Sequence, residues 1–342
     1  MLSIYEIAKG ANVSPATVSR ALNPELRHKV KQKTLEKILD FCEANNYYGK
    51  LAARSLASGK TFCIGLVLGA IENDFASPFF AQQISGILDT LSVHDYTLKV
   101  IPVPHGKPKE IDKGVRKALL SNEVDGFILN AAMIGGETLS ELKKMDFPVV
   151  ILTAAHVEVQ LTEIPTFGIN NQIGFREFCG YLVKKGHRRI AMLGAEEDMR
   201  TALLKKEAEK AGIETAEFLF HDLSPSIVRQ TMQMYLKVKD NWDSLKKYPA
   251  WFCVTDLWAL GARKAKEELA KGSDIFLCGY DNIEENVNYF NTEKPFLSTI
   301  APPYRELGKA ATEFLFQYDF QRKLTLLDSR FILRNQAAEK NK

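Results

Sequence analysis

The first 45 residues contain three short stretches in which apolar side chains recur at the three- and four-residue spacing of a helix. In the first stretch, Ser3 and Glu6 fit the S-x-x-E capping box, which predicts a helix over 4–10. A third stretch, rich in Leu and Ile, predicts a helix over about 30–45. Two short helices joined by a tight turn, with a third that closes the core, indicate a helix-turn-helix domain.

The middle stretch, "SPATVSRAL", begins with a proline, which helix interiors exclude. Proline is tolerated at the first helical position because its missing N–H is one of the donors left unpaired there. With Ser14 as the N-cap, the stretch predicts a helix over 15–22. Its outer side carries small polar residues and ends in a cation: Ala16, Thr17, Ser19 and Arg20. Such a face suits a flat, negatively charged partner.

From residue 62 onward, short apolar runs alternate with amphipathic segments. The predicted strands are 62–69, 97–103, 126–129, 149–152, 166–169, 189–194, 217–220, 250–254 and 275–278, and the predicted helices are 79–93, 110–120, 138–145, 172–185, 201–211, 225–239 and 257–270. This alternation indicates parallel sheets covered on both faces, and its two successive runs indicate two lobes. Ligands of such sheets bind at the carboxyl ends of the strands, so we expect a pocket between the lobes.

The charge is unevenly distributed along the chain. The 342 residues carry a net charge of +3, yet residues 1–60 alone hold ten Lys and Arg against five Asp and Glu. A localised basic region is the electrostatic footprint of a nucleic-acid-binding protein.

The sequence predicts neither a membrane span nor an export signal. The longest apolar run, Cys63–Ile71, is less than half of the ~20 residues that a span needs. The first ten residues include Glu6 and no apolar h-region. Five cysteines, at positions 42, 63, 179, 253 and 278, are odd in number and widely spaced. This pattern predicts buried, reduced thiols and a cytoplasmic location.

The motifs of common enzyme classes are missing or incomplete. "SGKT" at residues 58–61 ends like a phosphate-binding loop, but Arg54 stands where the first glycine of that loop belongs. The chain has no G-x-G-x-x-G or G-x-S-x-G motif, and its six histidines form no pair at metal-ligand spacing. "KKGHRRI" fits a helix end with Gly186 as its C-cap. We therefore expect no catalytic activity, no cofactor and no metal.

The ordered set of motifs resembles the LacI/GalR family of bacterial transcription regulators over nearly the whole chain. "IYEIAKGANVSPATVSRALN" is similar to that family's DNA-binding signature, and "AARSLASGKT" to its hinge helix. Five further segments are similar to parts of that family's two lobes: "SPFFAQQISGILD", "KKGHRRIAMLG", "TDLWALGA", "CGYDN" and "LSTIAPPYRELGKAA". The resemblance implies an α/β fold, with an N-terminal helix-turn-helix domain and a two-lobed, periplasmic-binding-protein-like core of parallel sheets.

The resemblance also implies a DNA-binding set, which comprises Ser14, Pro15, Ala16, Thr17, Ser19 and Arg20 in the second helix and Ala53 and Leu56 in the hinge. Arg20 is the expected base reader, because a guanidinium can bridge O6 and N7 of guanine. A phosphate contact or a structural salt bridge is the alternative for Arg20. Leu56 occupies the position at which the family inserts a leucine into the minor groove, and a core leucine is the alternative there.

For the effector, the resemblance implies a site formed by Phe79, Phe80, Asn130, Arg200, Thr255 and Asp281. Arg200 matches an effector-clamping arginine, and Asp281 a carboxylate that accepts hydrogen bonds from hydroxyl groups. The alternative is a core position for the aromatic pair and a structural or solvated role for the two charged residues. The chain departs from the family pattern at Lys31, Thr153, Asn170, Leu203 and Thr255.

These implications predict an allosteric transcription regulator, expected to be a repressor, that binds double-stranded operator DNA as a homodimer. A small-molecule effector, expected to be a sugar or sugar derivative, controls its operator affinity. A soluble periplasmic-type ligand-binding protein without DNA function is the alternative. The expected domains are the helix-turn-helix at 1–48, the hinge helix and linker at 49–60, and the core at 61–338, with one lobe at about 62–162 and 292–322 and the other at about 163–291 and 323–338.

Overall fold

The computed structural model divides the chain into two compact units, Met1–Phe62 and Cys63–Lys342. It describes residues 2–47, 55, 58–68, 78–102, 108–130, 134–153, 163–194, 198–220, 227–283, 295–319 and 324–334. Within these ranges, no helix combines the length and the apolar character needed to cross a membrane.

Within residues 2–47, the first unit contains three α-helices and one 3₁₀ helix: α1 (Ile4–Ala11), α2 (Pro15–Leu22), η1 (Pro24–Lys29) and α3 (Gln32–Ala44). The predicted capping box is confirmed, because the Ser3 hydroxyl accepts from the Glu6 N–H and the Glu6 carboxylate accepts from the Ser3 N–H. The three α-helices share a small core whose fully buried members include Ile7, Val18 and Ile38. The helix-turn-helix prediction is confirmed; η1 was not predicted.

The second unit alternates strands and helices, as predicted. Its elements are β1 (Cys63–Leu68), α4 (Pro78–Val93), β2 (Thr97–Pro102), α5 (Pro108–Leu120), β3 (Gly126–Asn130), α6 (Gly136–Lys144), β4 (Val149–Leu152), β5 (Thr166–Asn170), α7 (Asn171–Lys184), β6 (Arg189–Gly194), α8 (Met199–Lys210), β7 (Glu214–Leu219), α9 (Ile227–Asp240), α10 (Trp242–Leu245), β8 (Ala250–Cys253), α11 (Asp256–Leu269), β9 (Phe276–Tyr280), β10 (Ser298–Ala301), α12 (Tyr304–Phe316), β11 (Leu324–Asp328) and β12 (Arg330–Ile332). All five cysteines are free thiols, and four of them are buried.

The strands form two six-stranded sheets, and each sheet is the centre of one lobe. The first lobe has the order β11-β5-β4-β3-β1-β2, and all its pairs are parallel. The second lobe has the order β12-β10-β9-β8-β6-β7, with β12 antiparallel to β10. Helix α12 packs on the first lobe, whereas α7 packs on the second. The predicted α/β fold with two lobes of mainly parallel strands is confirmed.

The predicted lobe boundaries are wrong at three strands. They assign β5 and β11 to the second lobe and β10 to the first, but β5 pairs with β4 and β11, and β10 pairs with β9 and β12. The chain therefore crosses between lobes after β5, after β10 and after β11. A strand of only four or five residues carries no signal for its sheet, because its hydrogen-bonding partner is decided by tertiary packing.

Two glycines allow α4 and α12 to cross closely in the first lobe. A Cβ atom at Gly86 would lie 1.9 Å from the carbonyl oxygen of Arg305, and one at Gly308 would lie 2.2 Å from the carbonyl oxygen of Gln83. Beside this crossing, Arg305 forms an ion pair with Asp89 at 2.7 Å. The start of α12, which follows the second crossover, is thus fixed against the first lobe.

Candidate functional site

The exposed face of α2 is small and polar, as the sequence predicted. Ser14 caps the helix: its Oγ accepts a hydrogen bond from the Thr17 N–H at 3.1 Å and lies 2.8 Å from the Thr17 Oγ1. Val18 and Ala21 are fully buried against the other helices. The opposite face presents the exposed side chains of Ser14, Pro15, Ala16, Ser19 and Arg20 and the half-buried side chain of Thr17.

The described residues 2–47 carry positive charge that ion pairs among them do not offset. No ion pair joins two described side chains within residues 2–47, so Arg20 is exposed and uncompensated there. In η1, Arg27 donates from Nε to the carbonyl oxygen of Ala21 at 3.1 Å, which ties η1 to the end of α2. Lys31 is the N-cap of α3 and makes no side-chain capping bond, in agreement with its departure from the family pattern.

The predicted hinge contacts lie outside the described residues. Ala53 and Leu56 are not among the residues that the structure describes, and their minor-groove roles stay predictions. Nearby, Gly59 donates its N–H to the carbonyl oxygen of Ser55 at 2.8 Å.

In the second unit, Arg200 lies in the first turn of α8 and is held by the residue that caps the helix. Asp198 accepts the Arg200 N–H at 2.8 Å, the Nε at 3.0 Å and the Nη2 at 2.6 Å. Burial opposes ionisation of Asp198, but the hydrogen bonds and charge of Arg200 outweigh it and hold the Asp198 pKa below its ordinary value. Asp198 thereby fixes the orientation of the guanidinium.

Arg200 also lies over an aromatic ring of the second lobe. Its Cζ is 5.2 Å from the ring centroid of Tyr280, the last residue of β9. The Tyr280 hydroxyl donates a 2.7 Å hydrogen bond to Oδ1 of Asn171, the first residue of α7. This contact joins the end of β9 to the first crossover between the lobes.

Asp281 follows Tyr280 and is buried, with 6% of its surface exposed. Its φ of 107° is uncommon for a residue other than glycine, and it persists because the Asp281 N–H bonds the Ile300 carbonyl at 3.0 Å. The Tyr304 hydroxyl donates to the Asp281 Oδ1 at 2.8 Å. Burial raises the Asp281 pKa to about 7, against the opposing effects of Arg200 and of the Tyr304 hydrogen bond.

The structure separates the two predicted aromatic residues. The ring of Phe79 is half-buried and lies 5.3 Å from that of Tyr304, at an interplanar angle of 36°. Phe80 is 1% exposed and packs within the apolar core of the first lobe. The geometry therefore supports a core position for Phe80, which the sequence left open, and keeps Phe79 beside the polar cluster.

The two remaining predicted effector residues, Thr255 and Asn130, are not part of the cluster around Arg200 and Asp281. Thr255 is the N-cap of α11, and its Oγ1 accepts the Trp258 N–H at 3.2 Å. Asn130 is buried at the carboxyl end of β3 and makes no hydrogen bond to Arg200 or Asp281. The structure thus unites Arg200, Asp281 and, through Tyr304, Phe79, but not Asn130 or Thr255.

Four residues of this cluster were not singled out from the sequence: Asn171, Asp198, Tyr280 and Tyr304. Tyr280 and Asp281 are adjacent in "CGYDN", and Tyr304 lies in "APPYREL". Both tyrosines therefore lie in segments that carry the family resemblance. Asp198 could have been identified from the sequence as a helix cap, because an acidic residue just before a helix is a common N-cap. The described residues contain no group of three or more His, Cys, Asp or Glu side chains that could hold a metal ion.

Comparison with known proteins agrees with both units. Residues 3–49 match the model of the bacterial regulatory proteins, lacI family, and residues 179–318 match the periplasmic binding protein-like domain. The chain is 30% identical over 315 residues to the probable HTH-type transcriptional repressor ExuR of Bacillus subtilis (strain 168), covering 90% of this chain and 89% of that protein.

The chain belongs to the lacI family of bacterial regulatory proteins.

Solved structures of the lacI family extend over the same length. The Lac repressor bound to ONPG in the repressed state is 26% identical, with a TM-score of 0.69 over 97% of this chain and 98% of that one. The Lac repressor dimer bound to operator and the anti-inducer ONPF shares the fold, with 24% identity and a TM-score of 0.71 over 98% of both chains.

Membership of the lacI family decides between the two functional hypotheses. The protein is a DNA-binding transcription regulator, because the family match includes the helix-turn-helix unit that a periplasmic-type binding protein would not need. The members that it matches are transcription regulators and not enzymes.

Proposed function

We propose that α2 is the recognition helix, which enters the major groove and reads bases through its N-terminal and outward side chains. Its support is the exposed face of small residues that ends in Arg20, with a helix start fixed by Ser14 and Pro15. Small side chains permit close approach to base edges, and the Arg20 guanidinium supplies a bidentate donor for guanine.

We further propose that the effector is a sugar or sugar derivative bound among Arg200, Asp281 and Phe79. A sugar presents hydroxyl groups as both donors and acceptors, together with an apolar ring face. The cluster offers an oriented guanidinium donor, a buried carboxylate acceptor and a half-buried aromatic ring. The observation that carries this proposal is the proximity of the two charges, because the Arg200 Cζ lies 5.2 Å from the ring centroid of Tyr280, the residue that precedes the buried Asp281.

The functional unit in this proposal is a homodimer that reads a pseudo-palindromic operator in the cytoplasm. Each copy contributes one recognition helix, so the two-fold axis of the dimer matches that of the DNA site. The Lac repressor, whose structure shares this fold, is a dimer on its operator in one solved structure.

The DNA half of the proposal is tested by selecting duplexes from a random library with the full chain. The expected result is an enriched site with two inverted half-sites. Enrichment of no sequence at low salt, where phosphate contacts are strongest, would contradict the proposal.

The effector half is tested by thermal shift against a panel of monosaccharides, disaccharides and sugar phosphates. A ligand present at a hundred times its dissociation constant stabilises the folded protein by about 2.7 kcal/mol, which is readily measured. Stabilisation that is retained in the Arg200→Ala variant would place the binding site elsewhere in the molecule.

A further inference from the structure

One hydrogen bond of the cluster connects the two lobes directly. Tyr304 begins α12, which packs on the first lobe, and Asp281 follows β9, which belongs to the second lobe. The bond between the Tyr304 hydroxyl and the Asp281 Oδ1 is 2.8 Å long and buried. It spans the second crossover, where Pro302 and Pro303 link β10 to α12.

The Tyr304 side of this bond is fixed to the first lobe. Helix α12 crosses α4 at backbone contact distance at Gly86 and Gly308. The ring of Tyr304 lies against that of Phe79 on α4, and 2% of the tyrosine is exposed. The hydroxyl group is therefore fixed to the first lobe.

The Asp281 side is fixed equally well to the second lobe. The Asp281 N–H bonds Ile300 on β10, and the next residue, Asn282, donates its N–H to the Thr299 Oγ1 at 3.3 Å. The Asn282 side chain accepts a hydrogen bond from the Arg334 Nη2 at 2.6 Å. These bonds hold the backbone in its left-handed conformation and aim the carboxylate at the crossover.

We infer that Tyr304 is a positioning residue that couples the Asp281 carboxylate to the angle between the lobes. Its hydroxyl occupies one acceptor oxygen of Asp281 and restrains rotation about the Pro302–Pro303 crossover. Among the described residues, no other group donates a hydrogen bond to this carboxylate. The restraint thus depends on one donor and one acceptor.

This coupling also involves the effector, if Asp281 binds it as in the proposed function. An effector hydroxyl that donates to Asp281 either shares the carboxylate with Tyr304 or replaces it. In both cases the lobe angle becomes dependent on what occupies Asp281, because a ligand shifts a conformational equilibrium only through contacts that differ between the two states. Tyr304 is the residue that transmits this difference to α12.

The restraint is tested on the ligand-free full-length protein by pulsed electron-electron resonance between two nitroxide labels. Cysteines introduced at Lys113 on α5 and Glu209 on α8 are exposed and lie on different lobes. Cys63, the one native thiol that is not buried, is replaced by serine in every sample. Labelled chains are diluted with unlabelled ones so that only distances within one chain are measured.

Tyr304→Phe is expected to broaden the interlobe distance distribution and shift its centre. Tyr235→Phe is the matched control, because the Tyr235 hydroxyl also donates to a carboxylate, that of Glu268 at 2.6 Å, but both residues lie within the second lobe. This control is expected to keep the parental distribution. A Tyr304→Phe distribution that superimposes on the parental one, or an equal shift in the control, would overturn the inference.

Two substitutions at Asp281 keep the test decisive if Tyr304→Phe does not fold. Asp281→Asn retains an oxygen acceptor and should preserve the parental distribution, whereas Asp281→Ala removes the acceptor and should reproduce the broadening. Equal distributions in the two variants would contradict the inference. These measurements use neither DNA nor effector, so their failure is distinct from a failure of the proposed function.

Discussion

The guanidinium of Arg200 is held by Asp198 through two parallel hydrogen bonds, from Nε to Oδ1 at 3.0 Å and from Nη2 to Oδ2 at 2.6 Å. The same carboxylate caps α8 by accepting the Arg200 N–H. Asp198 thus caps the helix and also orients the Arg200 guanidinium, which we propose binds the effector.

Replacing Asp198 should weaken effector binding without removing any group that contacts the effector. Asp198→Ser can still cap α8 through its hydroxyl but cannot hold the guanidinium, so the effector affinity should fall by about tenfold, or ~1.4 kcal/mol. Calorimetry with the sugar found by thermal shift measures this loss. Asp198→Ala should show the same affinity loss and a further destabilisation of about 1 kcal/mol. Wild-type affinity in the serine variant would show that the clamp has no role in binding.

The raised pKa of Asp281 should make stability depend on pH in a defined direction. Its folded-state pKa is about 7, against an ordinary value of 3.8, so between these pH values the folded state binds more protons than the unfolded state. The unfolding free energy should therefore fall as pH rises through this window. Asp281→Asn cannot titrate, so its stability relative to wild type should increase from pH 4 to pH 8.

Urea unfolding of both proteins at pH 4, 6 and 8 checks this prediction. Asp256 is also buried, and its burial together with the charge of Asp281 raises its pKa, so both proteins are measured in an Asp256→Asn background in which Asp256 cannot titrate. A difference in stability that is constant with pH would contradict the assignment.

The crossing of α4 and α12 should not tolerate a methyl group. Gly86→Ala would place a Cβ atom 1.9 Å from the Arg305 carbonyl oxygen, and backbone atoms cannot yield as a flexible side chain can. We expect a destabilisation of about 3 kcal/mol in chemical unfolding. Gly180→Ala is the control, because that helical glycine on α7 is exposed and no atom beyond its chain neighbours and its own helix backbone lies within 4 Å of the added Cβ. It should instead stabilise the protein by about 0.5–1 kcal/mol.

Local elements were predictable because their signals are local. The bounds of α2 follow from the N-cap at Ser14 and from Pro15 at the first helical position. The left-handed backbone at Asp281 and its bond to Tyr304 were not predictable, because both depend on residues brought together by the crossover. The assignment of β5, β10 and β11 failed for the same reason: pairing across a sheet is set by the whole lobe. Phe79 and Phe80 show this limit of sequence-based prediction most directly, because the two side chains are identical and adjacent in the chain but have different surroundings.

Arg20 should determine sequence preference more than affinity. Arg20→Ala should lose discrimination at one guanine, worth about 1–3 kcal/mol, while non-specific binding through phosphates persists. Lys33→Ala, which removes an exposed cation on α3, is the control and should weaken binding nearly uniformly across sequences. Fluorescence anisotropy with single-base variants of the selected duplex separates the two effects. Unchanged discrimination in Arg20→Ala would leave Arg20 with a phosphate contact only.

Effector control of DNA binding is tested most directly by the affinity of the full-length protein for its selected duplex. This affinity is measured by anisotropy with and without the sugar identified by thermal shift. A regulator with this architecture should change its operator affinity by about 5- to 150-fold when effector binds, corresponding to a coupling free energy of about 1–3 kcal/mol. Arg200→Ala should bind the duplex normally without effector and show no change when effector is added. An operator affinity that is the same with and without bound effector in the wild-type protein would contradict the account.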